Sequence, residues 1–91
     1  MAATEEFPQR YAEALAALEP SVGAMSPEEV GVMLRLSREV AHRSERRWAP
    51  VASYLVGRYV EARVRAGADP ATALGEAFAV AESLLPPGED G

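Results

Sequence analysis

A chain of 91 residues, 48% hydrophobic and 25% charged, has the size and composition of one globular domain. It contains no cysteine, which excludes disulfides and thiolate zinc sites, and no run of eighteen apolar residues, which excludes a membrane-spanning helix. Its first residues have neither the basic start nor the apolar run of a secretory signal. We therefore expect a soluble cytoplasmic protein without a membrane partner.

The net charge of −5 is unevenly distributed along the chain. Residues 1–34 and 66–91 each carry −5, whereas residues 35–65 carry +5, and all nine basic residues are arginine. A nucleic-acid-binding domain normally presents a basic surface that dominates the domain. Because the basic segment lies between two acidic ones, the sequence does not favour a nucleic-acid partner.

The spacing of the apolar residues predicts an all-α fold, a compact bundle of four helices. The first helix is predicted over residues 4–19, with Thr4 as its cap and Pro20 beyond its end. We expect its single apolar stripe to dock on the core and the opposite face to stay in solvent. The stripe consists of Phe7, Tyr11, Ala14, Leu15 and Leu18.

The second helix is predicted over residues 27–45, because the segment before it has the pattern of a capping box. Ser26 is placed to accept a hydrogen bond from the N–H of Glu29, whose carboxylate reaches back to the N–H of Ser26. Pro27 suits the first helical position. The expected inner arc comprises Val30, Met33, Leu34, Ser37, Val40 and Ala41, and His42 is predicted to point away from it.

The third helix is predicted over residues 50–66 and is apolar over more than half of its circumference, which is typical of a central helix. Gly67 suits a left-handed cap after it, and Asp69 caps a fourth helix over residues 70–85. Residues 1–85 then form a single domain, and residues 86–91 a flexible tail. The apolar positions of the third helix are Val51, Ala52, Leu55, Val56, Tyr59, Val60, Ala62 and Val64.

No catalytic or metal-binding set emerges from the sequence. Glu39 and His42 have the Glu-x-x-His spacing of di-iron bundles, but such a centre needs two of these motifs and two further glutamates. The chain has one histidine, and its serines have no second histidine to activate them. The sequence therefore predicts a protein that is not an enzyme and binds no metal or cofactor.

Two groups of residues are candidates for contact with a ligand or partner. The first is the corner between the second and third helices, where His42, Arg43, Arg46, Arg47 and Trp48 lie. Arginine forks match phosphate groups and an indole stacks on a base, so this corner suits a phosphate or nucleotide ligand. The alternative, which we favour, is that these cations complement the negative end of the second helix while Trp48 folds over the core.

The second group is the polar ridge of the third helix. Tyr54, Arg58 and Arg65 lie on it together with Glu61, at spacings that bring charged side chains of one helix together. The ridge is either a ladder of surface ion pairs or a protein interface, where tyrosine and arginine are enriched. The sequence favours both interpretations equally.

A family resemblance is carried by the second and third helices. The residues that carry it are 36–42, Arg46, Ala49-Pro50 and 55–57, with support from residues 67–71. At these positions the chain resembles a short helical domain of unknown function from high-GC bacteria. The match covers about residues 34–85, and the chain departs from the pattern at Arg47-Trp48, where smaller residues are usual. Some relatives carry this domain alone; in others it follows a molybdenum cofactor guanylyltransferase, the enzyme that joins GMP to molybdopterin.

The resemblance implies an accessory role near cofactor assembly, with catalysis in another protein. We therefore predict a non-enzymatic interaction module whose partner is a molybdenum cofactor guanylyltransferase or a second copy of the chain as a homodimer. The alternatives are a small ligand-binding protein that uses the corner from His42 to Trp48, and a self-associating bundle.

Overall fold

Four α-helices account for most of the computed structural model, which describes residues 5–23 and 25–88 and has no strand within them. They are α1 (Phe7–Leu18), α2 (Pro27–Arg43), α3 (Trp48–Arg65) and α4 (Pro70–Leu84). The predicted all-α fold of four helices is confirmed. Thr4, the expected cap of α1, and residues 89–91 of the expected tail lie outside the described residues.

Helix α2 begins as its sequence predicts. The Ser26 Oγ accepts a hydrogen bond from the N–H of Glu29 at 3.1 Å, and the Glu29 Oε1 accepts one from the N–H of Ser26 at 2.7 Å. Pro27 occupies the first helical position. Two backbone donors at the helix start are therefore satisfied by side chains, and the predicted capping box is confirmed.

The connection between α3 and α4 also follows local sequence rules. Gly67 adopts φ of +102°, and the N–H groups of Gly67 and Ala68 donate to the carbonyls of Val64 and Arg63. This is a Schellman motif, which closes a helix with a left-handed residue. The Asp69 Oδ2 then accepts from the N–H of Thr72 at 3.1 Å and caps α4.

Helix α3 begins earlier than the sequence predicts. Its first residue is Trp48 rather than Pro50, so Pro50 occupies the third helical position. A proline is tolerated at this position because it lacks a backbone N–H, and the first N–H groups of a helix have no hydrogen-bond partner within the helix. The change places Ala49 among the buried residues of the helix.

The core lies where α2, α3 and α4 meet. Its buried centre consists of Leu36, Val40, Val56 and Leu74, and Leu36 is fully buried. The expected inner arc of α2 is therefore misplaced by roughly a quarter turn at 100° per residue. It omitted Leu36, and it included Leu34, which is 67% exposed. The reason is tertiary: α2 packs against both α3 and α4, so its buried face points between them.

Helix α1 lies outside this core, and the expectation that its apolar stripe docks there is wrong. The helix–helix contacts within the described residues are those among α2, α3 and α4. Phe7 is 60% exposed and Leu18 83% exposed, and the Phe7 and Tyr11 rings stack on each other at 5.3 Å. The radius of gyration is 14.1 Å, against roughly 12 Å for an average domain of this length.

The turn after α1 explains its direction. The Glu19 carboxylate accepts from the N–H and Oγ of Ser21, and the N–H of Val22 donates to the Glu19 carbonyl. This turn directs the face with the half-buried Ala12 and Ala16 toward the start of α2, across an open cleft of about 550 Å³. The apolar stripe lies on the opposite side of α1.

Candidate functional site

Arg43, one of the predicted corner residues, is held by hydrogen bonds within the fold. One of its terminal nitrogens donates to the carboxylates of Glu39 at 3.0 Å and Glu82 at 2.9 Å, and its Nε donates to the Pro86 carbonyl at 2.8 Å. The side chain is 14% exposed. The hydrogen bond to Glu82 and then that to Glu39 raise the Arg43 pKa above its usual value. Arg43 thus connects α2, α4 and the segment that follows α4.

The other four corner residues are exposed and spread around the turn. The Arg47 Nε pairs with a Glu45 carboxylate oxygen at 2.8 Å, and the Arg47 guanidinium lies 4.6 Å from the centre of the Trp48 ring. Trp48 is 43% exposed, so more than half of its surface is covered. His42 and Arg46 are exposed as well. Because Arg43 points to α4 while Arg47 lies on Trp48, the five residues do not converge on one pocket.

The outer face of α3 is the surface that brings predicted site residues together. We define it as Trp48, Val51, Tyr54, Leu55 and Arg58, which recur at helical spacing and are all exposed. The Arg58 guanidinium lies 6.0 Å from the centre of the Tyr54 ring, a weak cation–π contact. An aromatic and arginine pair therefore continues into three large apolar side chains on one solvent-facing strip.

The sequence assigned part of this face to the core. Val51 and Leu55 were expected inside the bundle, but both are about half exposed. In α3 only Ala49 and Val56 are buried, because α2 and α4 cover one side of the helix and α1 covers none of the other. At the end of the predicted ridge, Arg65 pairs with Glu61 at 3.1 Å, as expected for an ion-pair ladder.

A polar cluster between α3 and α4 was not predicted. The Arg63 Nε and a terminal nitrogen donate to the two carboxylate oxygens of Glu76 at 3.0 and 3.1 Å, and the Tyr59 hydroxyl donates to the same carboxylate at 2.7 Å. These bonds, that from Arg63 first, lower the Glu76 pKa, and the bond to Glu76 raises the Tyr59 pKa. The only sequence signal was the spacing of Tyr59 and Arg63 one turn apart.

An open apolar groove runs between α2 and α3, and we call it the α2–α3 groove. It has a volume of about 480 Å³, and two small residues, Ser53 and Gly57, lie one turn apart along it. A side-chain Cβ at Gly57 would meet no atom within 4 Å. The apolar residues that line the groove are Val22, Met25, Met33, Val56, Val60, Val64 and Leu74.

The described ranges hold neither a metal-binding cluster nor a membrane-spanning helix. Residues 5–23 and 25–88 contain no cluster of three or more histidine, aspartate or glutamate side chains arranged to hold a metal ion. Over the same residues, no helix combines the length and apolarity that crossing a membrane requires.

Fold and surfaces together define a small all-α domain with a three-helix core and a first helix at its periphery. The sequence matches, over residues 1–90, the family described as a domain of unknown function, DUF6457, and the chain belongs to that family. The resemblance to a helical domain of unknown function is confirmed to this extent. Comparisons with curated proteins and with solved structures gave no match.

Proposed function

We propose that the chain is a non-enzymatic interaction module that binds a protein partner through the outer face of α3. The observation that carries this proposal is the exposure of Trp48, Val51, Tyr54 and Leu55 on one side of a single helix. Four large side chains at about half exposure present an apolar patch on the order of 300 Å². Tryptophan, tyrosine and arginine are also the residues that contribute most to binding at protein interfaces.

The polar clusters support a module without a catalytic centre. Arg43 and Arg63 each hold two helices together through carboxylates. The use of Arg43 in the fold also makes the alternative, a phosphate or nucleotide ligand at the corner from His42 to Trp48, less well supported. That leaves the outer face of α3 as the better candidate for recognition.

The partner that we propose is a molybdenum cofactor guanylyltransferase, which places the chain in an accessory role in cofactor biosynthesis. This choice rests on the resemblance of about residues 34–85 to a domain that follows this enzyme in some relatives. Arg47 and Arg58 flank the apolar residues of the outer face, so a complementary partner surface has an apolar centre with an acidic rim. Location in the cytoplasm stays a prediction.

The test is a calorimetric titration of the full chain against the guanylyltransferase of the same organism at low and at physiological salt. We expect binding that the double variant Trp48→Ala, Tyr54→Ala weakens by about tenfold or more, because it removes two central aromatic side chains. Rising salt should raise the dissociation constant, because it screens the rim charges.

Val80→Ala is the matched control, since Val80 is an exposed apolar residue of α4 and lies on another helix. It should bind like the parent chain. Absence of heat at either salt, equal weakening by the control, or turnover of a nucleotide by the purified chain alone would each overturn the proposal.

A further inference from the structure

Two complementary apolar surfaces of this chain are left open to solvent. One is the stripe of α1, where Phe7, Tyr11, Leu15 and Leu18 are exposed. The other is the α2–α3 groove, which is lined mainly by apolar side chains. A helix with one apolar stripe and a groove between two helices are the two halves of an ordinary helix-packing contact.

The turn at residues 19–22 prevents the stripe of α1 from covering the groove of its own chain. Its hydrogen bonds and Pro20 direct the opposite face of α1, with Ala12 and Ala16, toward the start of α2. The stripe consequently points away from the protein's own core and is available to another molecule.

The groove suits the apolar face of a helix in shape and in composition. Ser53 and Gly57 are small residues and lower the α3 wall of the groove, which lets a helix backbone approach closely. The charged residues that line the groove are Glu29 and Glu61, and both are engaged within the chain: Glu29 in the capping box of α2 and Glu61 with Arg65. What the groove offers to another molecule is therefore its apolar lining, which suits the uncharged stripe of α1.

We propose that two copies of the chain associate by reciprocal docking, in which the α1 stripe of each copy lies in the α2–α3 groove of the other. Each copy supplies one stripe and one groove, so a two-fold symmetric pair covers both surfaces of both chains and closes. A different partner helix in the groove would leave the stripe exposed.

The buried area supports the use of both contacts together. A stripe of four large side chains buries roughly 300 Å² and the groove a similar area, so one docking buries roughly 600 Å². Two equivalent dockings bury about 1,200 Å², which reaches the range of specific protein interfaces, whereas one alone does not. The dimer is therefore stable because the α1 helices of both copies dock at the same time.

The first measurement is the mass of the full chain in solution over a range of concentrations, by light scattering and sedimentation. We expect a concentration-dependent mass that approaches twice 9.7 kDa. Tyr11→Glu, in the middle of the exposed stripe, and Gly57→Met, which fills the groove, should each raise the dimer dissociation constant by about tenfold or more. Gly75→Met, at an exposed glycine of α4 with equally open space, is the matched control and should leave dimerisation unchanged.

The second measurement decides between a second copy and the chain's own α1. Because the chain has no cysteine, thiols introduced by Tyr11→Cys and Gly57→Cys are its only thiols and react with a short bis-maleimide without competition. Mixing the two single variants should give a crosslinked pair, whereas Tyr11→Cys mixed with Gly75→Cys should give little. In the double variant Tyr11→Cys, Gly57→Cys the crosslink should likewise join two chains.

A monomer at every concentration, or a double variant that crosslinks only within one chain, would overturn reciprocal docking. This outcome is separate from the proposed function, since the outer face of α3 is a different surface. Trp48→Ala, Tyr54→Ala should leave the dimer intact, and a dimerisation defect in that variant would also contradict the proposal.

Discussion

The Arg63 guanidinium and the Glu76 carboxylate form a two-point ion pair, with both nitrogen–oxygen distances near 3 Å, that connects α3 to α4. The Tyr59 hydroxyl donates to the same carboxylate from one turn earlier on α3. Bidentate pairs of this kind fix geometry as well as adding energy. Since both side chains are 38% exposed, solvent screens the pair, and its main role is to set the register of the two helices.

The Arg63–Glu76 ion pair makes the free energy of unfolding depend on pH in the acidic range. The Glu76 pKa is held below its ordinary value of 4.5, first by the Arg63 hydrogen bond and then by that of Tyr59. A carboxyl with a lowered folded-state pKa stabilises the fold above its unfolded-state pKa, and this contribution is lost as pH falls through the folded-state value. We expect Glu76→Gln to lower the urea midpoint at neutral pH and to lose less stability than the parent chain below pH 4.5.

Tyr59→Phe is the control for this measurement, because it keeps the Arg63–Glu76 pair and removes one hydrogen bond. Its acid dependence should lie between those of the parent chain and Glu76→Gln, because the larger cause of the lowered Glu76 pKa, the Arg63 hydrogen bond, remains. Identical urea midpoints at every pH for the parent chain and Glu76→Gln would show that the ion pair does not contribute.

The capping box at the start of α2 gives a second prediction. Ser26→Ala removes the acceptor for the N–H of Glu29, so we expect it to reduce the free energy of unfolding by about 1 kcal/mol. Ser83→Ala, near the end of α4, removes a hydroxyl that donates to the carbonyl of Val80 and should change stability by less than about 0.5 kcal/mol. Urea unfolding measures both, and an unchanged midpoint for Ser26→Ala would show that the cap is not stabilising.

Features set by local sequence were predictable in this chain. The capping box at Ser26, the left-handed Gly67 and the cap at Asp69 involve residues within five positions of one another, so sequence spacing determines them. Helix faces were not predictable in the same way. The buried side of α2 is decided by the positions of α3 and α4, and those positions depend on contacts far apart in the chain.

Leu36 and Leu34 test that tertiary assignment directly. Leu36 is fully buried among α2, α3 and α4, whereas Leu34 is mostly exposed two residues earlier. Leu36→Ala leaves a cavity, so we expect a loss of about 2 to 5 kcal/mol in the free energy of unfolding. Leu34→Ala should cost less than about 0.5 kcal/mol. Equal losses in urea unfolding would contradict this assignment, and a larger loss for Leu34→Ala would favour the arc that the sequence alone predicts.

The candidate site was predictable only in part for the same reason. The sequence predicts Tyr54 and Arg58 as surface residues, because polar positions at helical spacing indicate a solvated face. It predicts Val51 and Leu55 as core residues, since a sequence shows that a residue is apolar but not whether another helix covers it. In this structure the helix that would complete the bundle, α1, lies elsewhere.

Replacing glycine by alanine should change the stability of the chain in opposite directions at Gly67 and at Gly31. Gly67 has φ of +102°, a conformation that strains any residue with a Cβ, so Gly67→Ala should destabilise the chain by about 1 kcal/mol or more. Gly31 lies inside α2 on its exposed side with no atom within 4 Å of an added Cβ. Gly31→Ala should therefore stabilise the chain by about 0.5 to 1 kcal/mol, because alanine loses less conformational entropy in a helix. Thermal unfolding of the two variants beside the parent chain measures both effects. A higher midpoint for Gly67→Ala would contradict the Schellman motif, and a lower one for Gly31→Ala would show that another surface packs against this side of α2.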